Sequence, residues 1–271
     1  MNRSILGLCL LVGIGIPIVV LFSVPPIDQP LSYHDFADQR CLVCVPHALN
    51  VVSNLPFVLV GVWGVVFLAS GKPRRGFEES WERWPYLAFF VAIGLTGVGS
   101  AYYHWNPDND RLVWDRLPLA VAFMALFAII IAERIDRRVG LWLFIPLVAL
   151  GGGTVVYWHW TEVWGRGDLR PYLLVQLYPL LAVPAILVLF PARYSRTADL
   201  FGCLAWYAGA KGLELLDSPI YSQGQIVSGH TLKHLVAAVS AYLVLFMIQH
   251  RHPLPEPTAP VMAVPGSSGL R

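Results

Sequence analysis

Long runs of apolar residues alternate with short polar segments along most of the chain. A helix needs about 20 mainly apolar residues to cross a bilayer, and the segments between the runs carry the proline, glycine and charged residues typical of loops. The pattern predicts an all-α, polytopic bundle of transmembrane helices, with a seven-helix core and one extra span at the N-terminus. We predict spans at residues 5–24, 47–69, 85–104, 115–132, 141–160, 171–190, 198–216 and 229–249.

These spans divide the chain into three parts. Residues 1–28 are predicted to be an N-terminal membrane anchor, because the first apolar run reaches Val24 and no small-residue cleavage pattern follows it. Residues 29–250 form the predicted seven-helix domain. Residues 251–271 are rich in proline, serine and glycine, which predicts a disordered tail.

Composition and charge exclude two broad classes of protein. The 271 residues are 56% hydrophobic and only 13% charged, unlike an ordinary soluble domain. The formal net charge is +2 and the basic residues are spread through the loops, so we expect no nucleic-acid partner.

The distribution of lysine and arginine predicts the orientation in the membrane. The loops on one predicted side hold twelve of these residues and those on the other side hold five. Because cytoplasmic loops carry the excess, both termini should be cytoplasmic. In a bacterial inner membrane, the segments near 25–46, 105–114, 161–170 and 217–228 would then be periplasmic.

Polar residues within the predicted spans gather at that periplasmic face. Ser100 and His104 end the third span with i,i+4 spacing, which places both on one face of a helix. His230 and His234 repeat this spacing at the start of the eighth span, and Asp115 opens the fourth. Polar and ionisable residues are costly inside a membrane, so we treat all five as functional candidates.

Three imidazoles are the ligand set of several hydrolytic zinc sites, in which an open fourth position takes water. Nitrogen donors suit zinc better than magnesium or calcium. Asp115 could accept a proton from that water, orient a ligand histidine, or simply be an acid favoured at a helix N-terminus. Ser100 could donate a hydrogen bond to an oxyanion or be a small residue at a helix contact.

The order Ser-x-x-x-His, a downstream Asp and a late His-x-x-x-His resembles the alkaline ceramidases, especially their bacterial relatives. The resemblance extends from about Tyr33 to Tyr242. Its motifs are ALNVVSNLPF at 48–57, GSAYYH at 99–104, LVWDRLP at 112–118 and SGHTLKH at 228–234.

The resemblance implies a seven-span membrane hydrolase that cleaves the amide of ceramide, or of a ceramide-like membrane lipid, into sphingoid base and fatty acid. It implies that His104, His230 and His234 bind Zn²⁺, that Asp115 is the acid/base residue and that Ser100 acts on the oxyanion side. Eukaryotic members also bind Ca²⁺ before their first span, and Asp35 and Asp38 resemble part of that site. Calcium takes six to eight oxygens, and where that pattern has a later acid this chain has His47 or neighbouring apolar residues, so a solvated acidic loop is the other interpretation.

Two other functions compete with hydrolysis. A b-type haem protein would need axial histidines on opposite sides of the haem, whereas His230 and His234 share one helix face. A receptor or scaffold with a structural zinc would need a fourth protein ligand, which the sequence does not suggest. We expect Lys211 and Glu214 to pair for structural reasons, and the isolated CxxC of Cys41 and Cys44 to be incidental.

Overall fold

The described part of the chain is a bundle of helices. The computed structural model describes residues 15, 17–19, 21–70 and 76–255. Within these residues there is no β-strand, only isolated bridges, which confirms the all-α prediction. The α-helices with defined bounds are α1 (Ala48–Val52), α2 (Leu55–Ala69), α3 (Arg83–Trp105), α4 (Asn109–Arg134), α5 (Arg137–Val163), α6 (Arg170–Leu189), α7 (Thr197–Leu215), α8 (Asp217–Gly224) and α9 (Gly229–His250).

Six helical segments of the described chain are long and apolar enough to cross a membrane, so the protein is an integral membrane protein. They are Ala48–Ala69, Ser80–Trp105, Asn109–Arg134, Arg137–Val163, Arg170–Leu189 and Gly229–His250. The helix predicted at 198–216 also forms, as α7, but it carries Asp199, Lys211 and Glu214 and is therefore less apolar than the six. Most of the predicted first span, 5–24, lies outside the described residues.

Several helices extend beyond their apolar runs because polar residues cap their N-termini. Side-chain oxygens of Asp108, Asp136 and Ser228 accept hydrogen bonds from backbone N–H groups in the first turns of α4, α5 and α9. Such caps satisfy donors that the helix itself cannot pair. The prediction of 115–132 for the fourth span therefore missed the first six residues of α4.

Helices α3 and α4 are at the centre of the bundle. Helix α3 packs between α2 and α4, α4 also contacts α5 and α6, and α9 packs against α7 and α2. Glycines allow the closest approaches. A Cβ on Gly99 would lie 1.9 Å from the carbonyl oxygen of Trp114, so any side chain at that position would push α3 and α4 apart.

Residues 251–255, which follow α9, pack against the helices. Arg251 is buried, its Nη1 atom lies 2.7 Å from Oε1 of Glu133, and its guanidinium is 4.1 Å from the ring centre of Tyr194. The backbone N–H of Leu254 donates to the carbonyl of Arg193. The first residues of the predicted tail therefore contact the rest of the bundle, and residues 256–271 lie outside the described chain.

Candidate metal centre

Three histidines from distant parts of the sequence meet inside the bundle. His104, His230 and His234 are all buried, and one ligand nitrogen from each lies within 4.8 Å of the others. Their ring centres are 4.8 to 4.9 Å apart. The convergence predicted from the two i,i+4 pairs is therefore confirmed, and the cluster could hold a metal ion.

Two helix ends bring the imidazoles together. His104 lies in the last turn of α3, while His230 and His234 occupy the first two turns of α9. The N-terminus of α9 presses against the end of α7, where a Cβ on Gly229 would lie 2.3 Å from the carbonyl oxygen of Leu213. This contact fixes the depth at which α9 enters the bundle.

The hydrogen bonding of His104 fits a metal ligand. Neither of its ring nitrogens has a hydrogen-bond partner among the described residues, although both are buried. An unpaired buried polar atom costs about 1–3 kcal/mol. A metal ion bound to one of these nitrogens would give that nitrogen the partner it lacks. The three imidazoles therefore fit zinc, both because nitrogen donors suit this metal and because His104 has an unpaired nitrogen to offer.

His234 is oriented by a serine that the sequence analysis did not single out. Its Nδ1 lies 2.8 Å from the Oγ of Ser53, and the Ser53 hydroxyl donates to the carbonyl of Asn50 at 3.1 Å. The Ser53 oxygen is therefore free to accept a hydrogen from Nδ1. This assigns the proton to Nδ1 and leaves Nε2 of His234 for a metal.

His230 has a cationic neighbour. Its Nε2 atom lies 3.0 Å from Nζ of Lys233, whose ammonium is also bound to Oε1 of Glu214 at 2.9 Å. A metal at Nε2 would require the ammonium to turn towards Glu214, whereas a metal at Nδ1 would leave the contact in place. The predicted pair of Lys211 and Glu214 is confirmed, and Lys233 completes a three-residue cluster.

Phe36 covers the cluster on the side of the loop before α1. Its side chain is 4% exposed, and its ring centre lies 4.6 Å from that of His104 and 4.5 Å from that of His230. The carboxylate of Asp217 holds this cover, because it accepts hydrogen bonds from the backbone N–H groups of Ala37 and His230. Phe36 therefore shields the three histidines from solvent.

Ser100 and Asp115 line the same cavity as one of the three histidines, His234. The cavity has a volume of about 280 Å³, and its lining includes Ser100, Asp115 and His234 at one end. It continues between the helices to apolar residues such as Ile130 and Leu200. A mostly apolar cavity with a few polar groups is the usual form of a small-molecule site.

The acidic loop before α1 gives the calcium interpretation no support. Asp35 is exposed, while Asp38 is buried and binds Arg40 through both carboxylate oxygens, at 2.8 Å to Nε and 2.7 Å to Nη2. The hydrogen bonds from Arg40 hold the pKa of Asp38 below its usual value. Asp38 is therefore neutralised by a cation of the chain itself, and His47 approaches only its backbone carbonyl.

Three buried residues at or near the site were not predicted from the sequence: Ser53, Phe36 and Arg116. Ser53 could have been found, because Asn50, Ser53 and Asn54 are polar residues inside an apolar run, and such residues are costly in a membrane. Phe36 gave no signal, since an apolar residue in a polar loop is common. Cys41 and Cys44 are exposed free thiols beside a tight turn and form no part of the site.

Comparisons with known proteins give no functional assignment, so the proposal for the function rests on the geometry of the site and on the sequence motifs. No protein-family model matches the chain, and no curated protein matches it in sequence.

Proposed function

We propose that the protein is a zinc-dependent membrane hydrolase that cleaves the amide bond of ceramide or a ceramide-like lipid. One observation carries the proposal: three buried imidazoles, one with both nitrogens unpaired, meet beside a mostly apolar cavity that His234, Ser100 and Asp115 line. The order of these residues in the sequence, which resembles that of the alkaline ceramidases, supports the same reaction.

His104, His230 and His234 would hold the zinc ion. Zinc in such a site acidifies water and polarises a carbonyl group. Ser53 keeps His234 in the tautomer that offers Nε2, and Phe36 excludes bulk water from the ligands.

Asp115 and Ser100 supply the remaining groups for amide hydrolysis. The Asp115 carboxylate takes a proton from the attacking water, whose oxygen adds to the acyl carbon, and returns that proton to the nitrogen as the C–N bond breaks. The Ser100 hydroxyl donates a hydrogen bond to the oxyanion that develops on the carbonyl oxygen. The products are a carboxylic acid and an amine.

The membrane supplies the substrate in this proposal. A single-chain or two-chain lipid amide would enter laterally between helices, with its acyl chain in the apolar part of the cavity. The distribution of lysine and arginine favours both termini in the cytoplasm. In a bacterial inner membrane, the histidine cluster would then lie towards the periplasm.

The direct test is the release of sphingoid base from a fluorescent ceramide by purified full-length protein supplied with zinc. We expect turnover by the wild type and its loss in Asp115→Asn and His230→Ala, with size-exclusion profiles unchanged. Asp110→Asn is the matched control, because Asp110 is a strongly exposed acid in the first turn of the same helix. Turnover that survives Asp115→Asn, or a haem Soret band in the purified protein, would contradict the proposal.

A further inference from the structure

The polar end of the cavity carries more positive than negative charge. Its charged lining residues are the cations Arg116, Lys211 and Lys233 and the carboxylates Asp115 and Glu214. With all five ionised, one positive charge remains without a counter-charge. A bound zinc ion with neutral histidine ligands would add to this excess.

The two lysines share a single carboxylate. Lys211 binds Oε2 of Glu214, and Lys233 binds Oε1 at 2.9 Å. Both oxygens of Glu214 are therefore used within the cluster, which keeps a net charge of +1. Glu214 cannot also neutralise Arg116.

Arg116 is a buried cation without an acidic partner. Its side chain is 5% exposed, and among the described residues no carboxylate oxygen lies within salt-bridge distance of it. The Nη2 atom donates to Oε1 of Gln29 at 2.6 Å, while Nη1 has no hydrogen-bond partner in the described chain.

Aromatic rings surround this guanidinium. Its central carbon lies 5.3 Å from the ring centre of Tyr33, 4.4 Å from that of Trp158 and 4.9 Å from that of Tyr172. Aromatic faces stabilise a cation but do not neutralise it. A buried, unneutralised cation is costly in a membrane domain and marks a place where an anion would bind with a gain in free energy.

We infer that this end of the cavity binds an acidic group on the amine side of the substrate, so that, among the ceramide-like lipids of the proposed function, the natural substrate is an anionic acyl amide. The acyl chain would occupy the apolar part of the cavity, the amide would lie beside Ser100 and Asp115, and a carboxylate, sulfonate or phosphate would face Arg116 and the two lysines. The reaction rests on the proposed function, whereas the anion site does not.

A pair of probes that differ by one charge tests the inference. N-dodecanoylglycine and N-dodecanoylglycinamide have the same chain and the same internal amide, but only the first carries a carboxylate. Binding is measured by isothermal titration with full-length Asp115→Asn protein, in which hydrolysis is blocked. Because charge-assisted hydrogen bonds are about twice as strong as neutral ones, we expect the acid to bind at least tenfold more tightly than the amide.

Variants of the cationic residues test whether these residues cause the tighter binding of the acid. In the same background, Arg116→Gln should reduce the ratio of the two affinities to less than threefold, whereas Arg116→Lys should retain part of it. Arg111→Gln is the matched control, since Arg111 lies on the same helix but pairs with Asp108. If Arg116→Gln does not fold, Lys211→Gln, at a more exposed position, should still lower the ratio at least twofold.

Other outcomes overturn the inference or separate it from the proposed function. Equal affinities in the parent protein, or a ratio that Arg116→Gln and Lys211→Gln leave unchanged, would overturn it. Dodecanoate that binds with the same dependence on Arg116 would identify a product site and overturn the substrate assignment. If the protein hydrolyses ceramide but does not prefer N-dodecanoylglycine to its amide, the inference alone is wrong. If it binds N-dodecanoylglycine more tightly but hydrolyses no amide, the proposed function alone is wrong.

Discussion

The Oγ atom of Ser53 lies 2.8 Å from Nδ1 of His234 and links the junction of α1 and α2 to the metal cluster on α9. Because the Ser53 hydroxyl donates to the carbonyl of Asn50, its oxygen accepts the proton of the imidazole. The hydrogen bonds from His234 to Ser53 and from Ser53 to Asn50 thus set both the orientation and the tautomer of one histidine of the candidate metal centre.

Replacement of Ser53 by alanine should weaken zinc binding about 10- to 100-fold, the usual effect of losing a partner of a ligating histidine. Competition with a fluorescent zinc chelator measures the affinity. Ser70→Ala is the control, because the exposed Ser70 caps α2 through a local hydrogen bond only. An unchanged zinc affinity in Ser53→Ala would show that this contact does not support the site.

Gly99→Ala should destabilise the protein and reduce turnover. The new Cβ would collide with the Trp114 carbonyl and separate α3 from α4, and with them Ser100 from Asp115. Overpacking of this kind costs about 1–3 kcal/mol. The thermal midpoint in detergent should fall for Gly99→Ala but not for Gly153→Ala, since no atom lies within 4 Å of a Cβ at Gly153. Equal midpoints would contradict the close helix contact.

The ion pair of Asp38 and Arg40 should give a defined pH dependence. The folded state lowers the pKa of Asp38, so its contribution is complete above the unfolded pKa of about 3.9 and disappears as the pH falls through the lower folded value. Arg40→Gln should therefore lower the thermal midpoint at pH 7, and the difference from wild type should shrink below pH 4. A difference that stays constant down to the lowest pH would argue against this pair.

Phe36→Ala should make the bound metal more accessible. The ring covers His104 and His230, so its removal should speed the loss of zinc to excess EDTA by at least a factor of ten, on the argument that burial excludes the chelator. Stopped-flow measurement with a zinc indicator follows the release. Leu31→Ala, at an exposed position of the same segment, is the control. If both variants release zinc at the wild-type rate, Phe36 is not the barrier.

Local patterns in the sequence predicted the helices and the ligand histidines, because apolar runs and i,i+4 spacing are local. The i,i+4 spacing places His230 and His234 on one face of α9, whatever the position of that helix in the bundle. The order of the spans placed His104 at the same membrane depth as these two histidines. The contacts of Phe36, Ser53 and Arg116 depend on residues more than 40 positions away, and nothing near them in the sequence specifies those partners. Asp38 and Arg40 are only two residues apart, so their ion pair could have been predicted from the sequence. The resemblance to the alkaline ceramidases suggested a calcium ligand at Asp38 instead.

The amount of zinc bound per protein chain tests the central claim most directly. Full-length protein, purified in detergent after exposure to zinc and freed of loosely bound metal, should contain close to one zinc ion per chain by mass spectrometry. His104→Ala should lose it, whereas His34→Ala, whose imidazole bonds Tyr103 and Asn109 instead, should retain it. Wild-type protein without zinc, or stoichiometric zinc in a folded His104→Ala variant, would contradict the three-histidine metal centre.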